Sequence, residues 1–214
     1  FCFGFGQVAK YFVKKIIKEK QVLELNVSSR KKTHSFTFEG IDLNSFEFSE
    51  KKIDKNIYLK IQDADFILVS IPPNNDEDIV LRNLKEILKK TKTKWITYLS
   101  ATSVYGNHDG AWVNEASETK PKSINGIKRL QAENQWLKFS NENKLPLQIF
   151  RLSGIYSVEN NILKRLLSGQ AKIVKKENHF FSRIHVEDIA TAILVSMKKK
   201  TPGEIFNLTD NYPT

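Results

Sequence analysis

Gly4 and Gly6 stand two residues apart, with Ala9 three residues further on, after a short apolar run and directly before an amphipathic stretch. Gly4 permits a tight turn, Gly6 lets a ligand approach the backbone, and Ala9 lets a helix pack close to its strand. A helix that starts at Gln7 and Val8 offers unpaired N–H groups and the positive end of its dipole, a setting for a pyrophosphate. A second group of polar residues, Ser28, Ser29 and Arg30, follows the next apolar run. Carboxylates at that point accept hydrogen bonds from an adenosine ribose. Two hydroxyls and a guanidinium suit a 2′-phosphate instead, with Arg30 able to bind it as a fork. A polar surface turn is the simpler alternative. We favour NADP(H) over NAD(H). Ser70, Ile71 and Pro72 end a further apolar run, where they either border the adenosine side or simply stop a strand.

The elements that must hold these groups are legible in the hydrophobic pattern. Val8, Phe12, Ile16 and Ile17 recur at helical spacing after the glycines. Strands are predicted at 22–27, 65–71, 95–100, 147–152, 172–175 and 204–208, with a short third strand around Phe36, Phe38 and Ile41. Helices are predicted around Ile53, Ile57 and Ile61, and at 76–90, 124–143, 160–168 and 185–199. This alternation, unbroken by repeats or low-complexity linkers, specifies an α/β fold with a doubly wound parallel sheet (Rossmann) and a small C-terminal substrate lobe. Residues 1–150 form the NADP-binding part; 151–214 supply the remaining strands and the lobe.

The 214 residues are 40% hydrophobic and 27% charged, an ordinary globular balance able to bury a sizeable core. No apolar run approaches the roughly 20 residues of a membrane helix. Cys2, the single cysteine, excludes an internal disulfide and any CxxC motif. His34, His108 and His179 lack ligand spacing with Cys, Asp or Glu, so no metal is expected. A cytoplasmic protein, with no membrane partner, is the natural reading. The net charge of +10 invites nucleic acid, but the lysines are scattered, many at helix ends, and no nucleic-acid motif accompanies them. We therefore read no nucleic-acid partner; the charge favours an anionic small molecule.

Four stretches together resemble the extended short-chain dehydrogenase/reductase superfamily, specifically its nucleotide-sugar epimerase and dehydratase group. They are Gly4-Phe5-Gly6-Gln7-Val8-Ala9, Tyr98-Leu99-Ser100-Ala101-Thr102-Ser103-Val104-Tyr105-Gly106, Phe150-Arg151-Leu152-Ser153-Gly154-Ile155-Tyr156, and the run from Phe181 through His185 to Ala190. The resemblance implies a nicotinamide dinucleotide, a sugar-like small-molecule substrate and pairing of two copies as a homodimer. It places Leu99, Ser100, Ala101, Arg129, Ser153, Gly154 and Ile155 around the nicotinamide half. It also predicts chain beyond both ends of this sequence.

The resemblance breaks at the chemistry. Ala101 stands where the group carries Ser or Thr, and Asn125 and Arg129 stand at the Tyr and Lys of its Tyr-x-x-x-Lys signature. Asn125 cannot exchange a proton as a phenol does, and Arg129 stays protonated. Tyr105, with Thr102 beside it, is the candidate proton donor; the alternative is that Tyr105 packs under the long polar loop expected at 107–121 and shapes the pocket. Two readings follow. One is an atypical NADP(H)-dependent oxidoreductase or epimerase; the other is a non-catalytic NADP(H)-binding redox sensor or interaction protein.

Overall fold

The computed structural model describes residues 1–20, 24–31, 35–74, 77–171 and 180–213. In chain order the elements are β1 (Cys2–Phe3), α1 (Gln7–Lys18), β2 (Asn26–Ser29), β3 (Phe36–Phe38), β4 (Ile41–Glu47), α2 (Asn56–Gln62), β5 (Phe66–Val69), α3 (Ile79–Leu88) and β6 (Trp95–Ala101). A 3-10 turn (Thr102–Val104) then leads to α4 (Ile124–Asn143), β7 (Leu147–Leu152), β8 (Gly154–Tyr156), α5 (Ile162–Leu167), β9 (Arg183–His185), α6 (Val186–Lys199) and β10 (Ile205–Leu208).

Among the described residues, eight strands form one sheet in the order β10-β7-β6-β5-β1-β2-β4-β3. Every pairing is parallel except β3 with β4. The order reverses direction at β1, between β5 and β2, so a crevice opens there at the C-terminal strand ends, where open α/β sheets bind ligands. Helices cover both faces. On one, Val8, Phe12, Val13 and Ile16 of α1 meet Ile189, Ala190, Ile193 and Leu194 of α6 in a buried cluster. On the other, Ile57 and Ile61 of α2, Leu84 and Leu88 of α3 and Trp136 of α4 pack over Ile67, Ile96 and Ile149. The continuous apolar run of β5 follows from burial on both faces; β6 and β7 are buried too but carry Thr97, Ser100, Gln148 and Arg151 among their apolar residues. β8 and β9 pair as a separate two-stranded sheet beside the C-terminal strand ends.

Helix ends match their sequence signals. Asp78 caps α3, its carboxylate accepting from the Val80 and Leu81 amides at 2.9 and 3.2 Å. Ser123 caps α4 through the Gly126 amide. The predicted helix at 76–90 is accordingly shorter, because the Asp78 cap sets its start. The third strand is in fact a hairpin: β3 turns through Glu39 and Gly40, both at positive φ, into β4, which then runs parallel to β2. β2 extends through Ser28 and Ser29, two residues past the predicted strand. The start of that predicted strand and the whole of the 172–175 strand lie outside the described residues.

Candidate dinucleotide site

The glycine turn sits at the reversal point of the sheet. Gly4 has φ +85°, a conformation that disfavours any side chain. Its amide donates to Ser28 Oγ at 3.0 Å, and Ser70 Oγ donates to the carbonyls of Phe3 and Gly4. Two neighbouring strands thus fix the turn from either side. Phe5, between the glycines, tucks against Phe36 and Phe38 of the hairpin, with ring centroids 5.6 and 5.2 Å away. Gly6 caps α1 in extended backbone with no side-chain hydrogen bond, and no acidic residue occupies the first turn. A Cβ placed on Gly6 would meet no atom within 4 Å. It would project into open space at a helix N-terminus. Val8 is buried, and the Gln7 side-chain nitrogen Nε2 donates to Ser157 Oγ, tying α1 to the residue after β8.

The residues expected to read a 2′-phosphate divide. Ser28 is 1% exposed and its hydroxyl serves Gly4, so it braces the turn rather than facing a ligand. Ser29 Oγ donates to the Lys31 carbonyl, and Arg30 is exposed. One carboxylate that pattern reading overlooked stands nearby: Glu47 pairs in register with Ser29 across the parallel ladder and holds Lys52 at 3.3 Å. Ser70 is engaged by the turn, Ile71 packs against the core and Pro72 is exposed. A hollow of about 580 Å³ lies along α1, but its lining mixes Lys10 and Lys14 with Glu39, Glu159 and Glu187. That balance of charge makes it a poor seat for phosphates.

On the other side of the crevice, β6 and β7 end side by side. Leu99 and Ser100 are buried, and Ala101 and Thr102 are partly exposed. Ser100 and Ser153 are 2% and 5% exposed, and neither Oγ has a hydrogen-bond partner among the described residues. Such orphaned hydroxyls are uncommon in a buried setting. Arg129 reaches from α4 to the Leu99 carbonyl, 2.6 Å from its Nη1. Asn125 is exposed at the second position of α4, one turn earlier on the same helix. Gly154 and Ile155 open β8 beside Arg183 and Ile184. His185 caps α6 through Nδ1 and packs its ring on Tyr156.

Tyr105 is only 2% exposed. Its hydroxyl donates to Asn207 Oδ1 and accepts from Arg151 Nη1, each at 2.8 Å. Arg151 in turn grips Glu133, with Nη2 2.8 Å from one carboxylate oxygen and Nε shared between both. Glu115 accepts from the Asn207 amide at 2.6 Å. The candidate proton donor is therefore a strut: its oxygen joins β7 and β10, Arg151 carries the link on to α4 through Glu133, and the packing alternative is the one this geometry favours. Burial works against the Arg151 charge, but Glu133 and Tyr105 together hold it above its ordinary range.

A second buried charge centre lay outside the sequence reasoning. Asp78 is 1% exposed, and its Oδ2 has no hydrogen-bond partner among the described residues. Burial pushes its carboxyl above the ordinary value, against the pull of the Leu81 and Val80 amides, the Trp136 indole and the Arg129 charge. Tyr98, fully buried beside the same groups, is pushed up chiefly by burial too.

The model of the NAD dependent epimerase/dehydratase family matches residues 74–209. The chain belongs to this family. Protein YeeZ of Escherichia coli strain K12 is 25% identical over 157 residues, which cover 69% of this chain and 54% of YeeZ. The chain thus spans about half the length of that curated relative. A functionally unknown conserved protein from Silicibacter pomeroyi superposes on all of this chain and 72% of its own, at TM-score 0.82 and 29% identity. UDP-glucuronic acid 4-epimerase from Bacillus cereus, solved in complex with NAD, covers this whole chain and 77% of its own at TM-score 0.81 and 16% identity, a likeness of fold.

Two outcomes are expected of this epimerase/dehydratase family member. Tyr105→Phe should leave Asn207 and Arg151 short of a partner and cost about 1–3 kcal/mol, read as a lower urea midpoint at unchanged slope; an unmoved midpoint would contradict the strut. For Asp78, the native state holds its proton more tightly than the unfolded chain does. Its stabilising contribution is therefore complete below the unfolded value of 3.8 and is lost as pH rises through the raised native value. Asp78→Asn keeps the cap, so wild type should lose stability relative to this variant as pH climbs from about 3 to about 7. A gap that stays constant across that range would refute the assignment.

Proposed function

We propose that the chain binds a nicotinamide dinucleotide across the crevice between β5 and β2, and that NADP(H) is preferred to NAD(H). The observation that carries this reading is the open space above Gly6 at the uncapped start of α1, in a turn held rigid from both flanks. Backbone N–H groups of Gln7 and Val8 would meet the pyrophosphate there, favoured by the helix dipole. Arg30, with Ser29 beside it, would grip the 2′-phosphate, while Ile71 and Pro72 flank the adenosine. Leu99, Ser100, Ala101, Arg129, Ser153, Gly154 and Ile155 would surround the nicotinamide half, the orphaned hydroxyls of Ser100 and Ser153 gaining partners. When bound, the nicotinamide supplies reversible two-electron transfer.

The substrate class we infer is a sugar or nucleotide-sugar-like molecule, the reaction an oxidoreduction or epimerisation. Family membership supports it, as does the fold shared with the Bacillus cereus epimerase. The chain's own contribution to chemistry is positioning: Arg129 holds the strand end and supplies positive charge, and the Glu133–Arg151–Tyr105 network sets the floor of the pocket. The second reading, a dinucleotide-binding sensor without turnover, is favoured by one specific observation: the phenol nearest the site spends its hydroxyl on Arg151 and Asn207.

Gly6→Ala tests the binding reading directly. Its backbone conformation suits alanine, so the variant should fold with an unchanged melting temperature and lose nearly all coenzyme affinity in titration calorimetry; retained affinity would overturn the site. Arg30→Gln should weaken NADPH binding about tenfold or more while sparing NADH, a charge-assisted fork being worth about 1.5–3 kcal/mol. Equal affinity of wild type for the two coenzymes would remove the 2′-phosphate assignment.

A further inference from the structure

Gln7 and Tyr11 lie one turn apart on the same side of α1, and both reach the short segment that follows β8. Gln7 Nε2 donates to Ser157 Oγ, and the Tyr11 hydroxyl donates to Glu159 Oε2 at 2.8 Å. The second bond holds the Glu159 carboxyl below its usual range. The segment is a compact turn in its own right. Ser157 is 3% exposed, its Oγ accepts the Asn160 amide at 3.0 Å, and its own amide donates to the Asn160 carbonyl at 3.0 Å. α5, which follows, buries none of its residues. The path into this turn has little slack. β7 stands three places from β1 in the sheet, about 14 Å at ordinary strand spacing. The chain steps from Leu152, at the end of β7, to Ser157 in a length that spans at most about 18 Å. It therefore runs across the C-terminal ends of β6 and β5 to the first turn of α1.

We propose that residues 154–160 form a strap over the coenzyme, fastened to α1 by the Gln7–Ser157 and Tyr11–Glu159 bonds, and that release of these fasteners gates coenzyme entry and exit. This rests on the coenzyme site proposed above, because a dinucleotide reaching from Gly6 to the ends of β6 and β7 would lie along the line that the strap crosses. Parting the fasteners breaks two side-chain hydrogen bonds and no strand pairing. The hollow of about 580 Å³ along α1 is lined by Gln7, Tyr11, Glu159 and Asn160, so the turn has room to swing without unpacking the core. A closed strap hinders arrival and departure alike. Weakening it therefore speeds both by one factor and leaves the dissociation constant where it was, whereas loss of a plain coenzyme contact speeds departure alone.

Tyr11→Phe removes one fastener and keeps the ring that packs against the core; Glu159→Ala removes the same fastener from the exposed side. In coenzyme-free protein, the Ser157 and Asn160 amides of either variant should exchange with deuterium about threefold to tenfold faster, the worth of one hydrogen bond. The double variant should match the singles, since both lose one shared contact. In stopped-flow fluorescence, NADPH association and dissociation should both accelerate by that factor, with Kd unchanged. Unaltered exchange at the two amides overturns the strap as a moving part. Faster exchange with unmoved NADPH rates overturns its place over the coenzyme, and faster dissociation alone overturns the gate in favour of a plain contact. A wild type to which NADPH does not bind overturns the coenzyme site and the gate with it, a failure told apart by the exchange result, which is read without coenzyme.

Discussion

The grip of Arg151 on Glu133 is the contact from which the site's geometry is hung. Both side chains are almost wholly removed from water, where neither charge is tolerable alone and breaking such a pair costs several kcal/mol. Their mutual requirement holds the middle of α4 against the end of β7. Everything C-terminal to the strands is registered from that point: Arg129 lies one helical turn before Glu133, Tyr105 lies under the guanidinium face at 4.9 Å, and Asn207 brings in the outermost strand. A buried ion pair adds little net stability compared with apolar packing, but it tolerates only one arrangement, which is what a site built across three elements needs.

The opposite wall of the crevice works on another principle. There the anchoring groups are hydroxyls, and they bind backbone rather than one another. Ser28 receives the Gly4 amide, and Ser70 gives its proton to the carbonyls on either side of β1's exit. Because β1 has only two residues in the sheet, its own ladder cannot define the turn, and the neighbouring strands do so instead. The consequence is a rigid loop whose one unoccupied position is Gly6.

Element bounds were legible where the flanking signals were clear: α4 and β7 have the bounds predicted for them, although α4 buries Glu133 and Ser140 beside Ala132 and Trp136, and the apolar run of β5 can only be a strand buried on both faces. The hairpin of β3 and β4 was not, because an edge strand with one wet face carries mixed residues and its turn signal, Glu39-Gly40, is short. Among site residues, the glycine turn declared itself through spacing that backbone geometry demands. Ser28 and Tyr105 turn out to spend their hydroxyls within the fold for a reason the sequence hides: a polar side chain near a strand end looks the same whether it faces a ligand or satisfies a neighbouring buried group. Asp78 could have been suspected as more than a cap from its place before Ile79, Val80 and Leu81, but its depth is a property of how α3 and α4 meet.

The antiparallel hairpin has a bearing on how the molecule behaves among its own copies. An all-parallel sheet would end in a long row of open amides and carbonyls able to recruit another chain. Here that border is three residues, Phe36–Phe38, with Thr37 engaged by Asp42, and at the far border Glu115 occupies the Asn207 amide. Short or already-occupied rims of this kind discourage edge-to-edge aggregation, so a highly cationic chain with a broad sheet gains a measure of colloidal safety from the way its borders are finished.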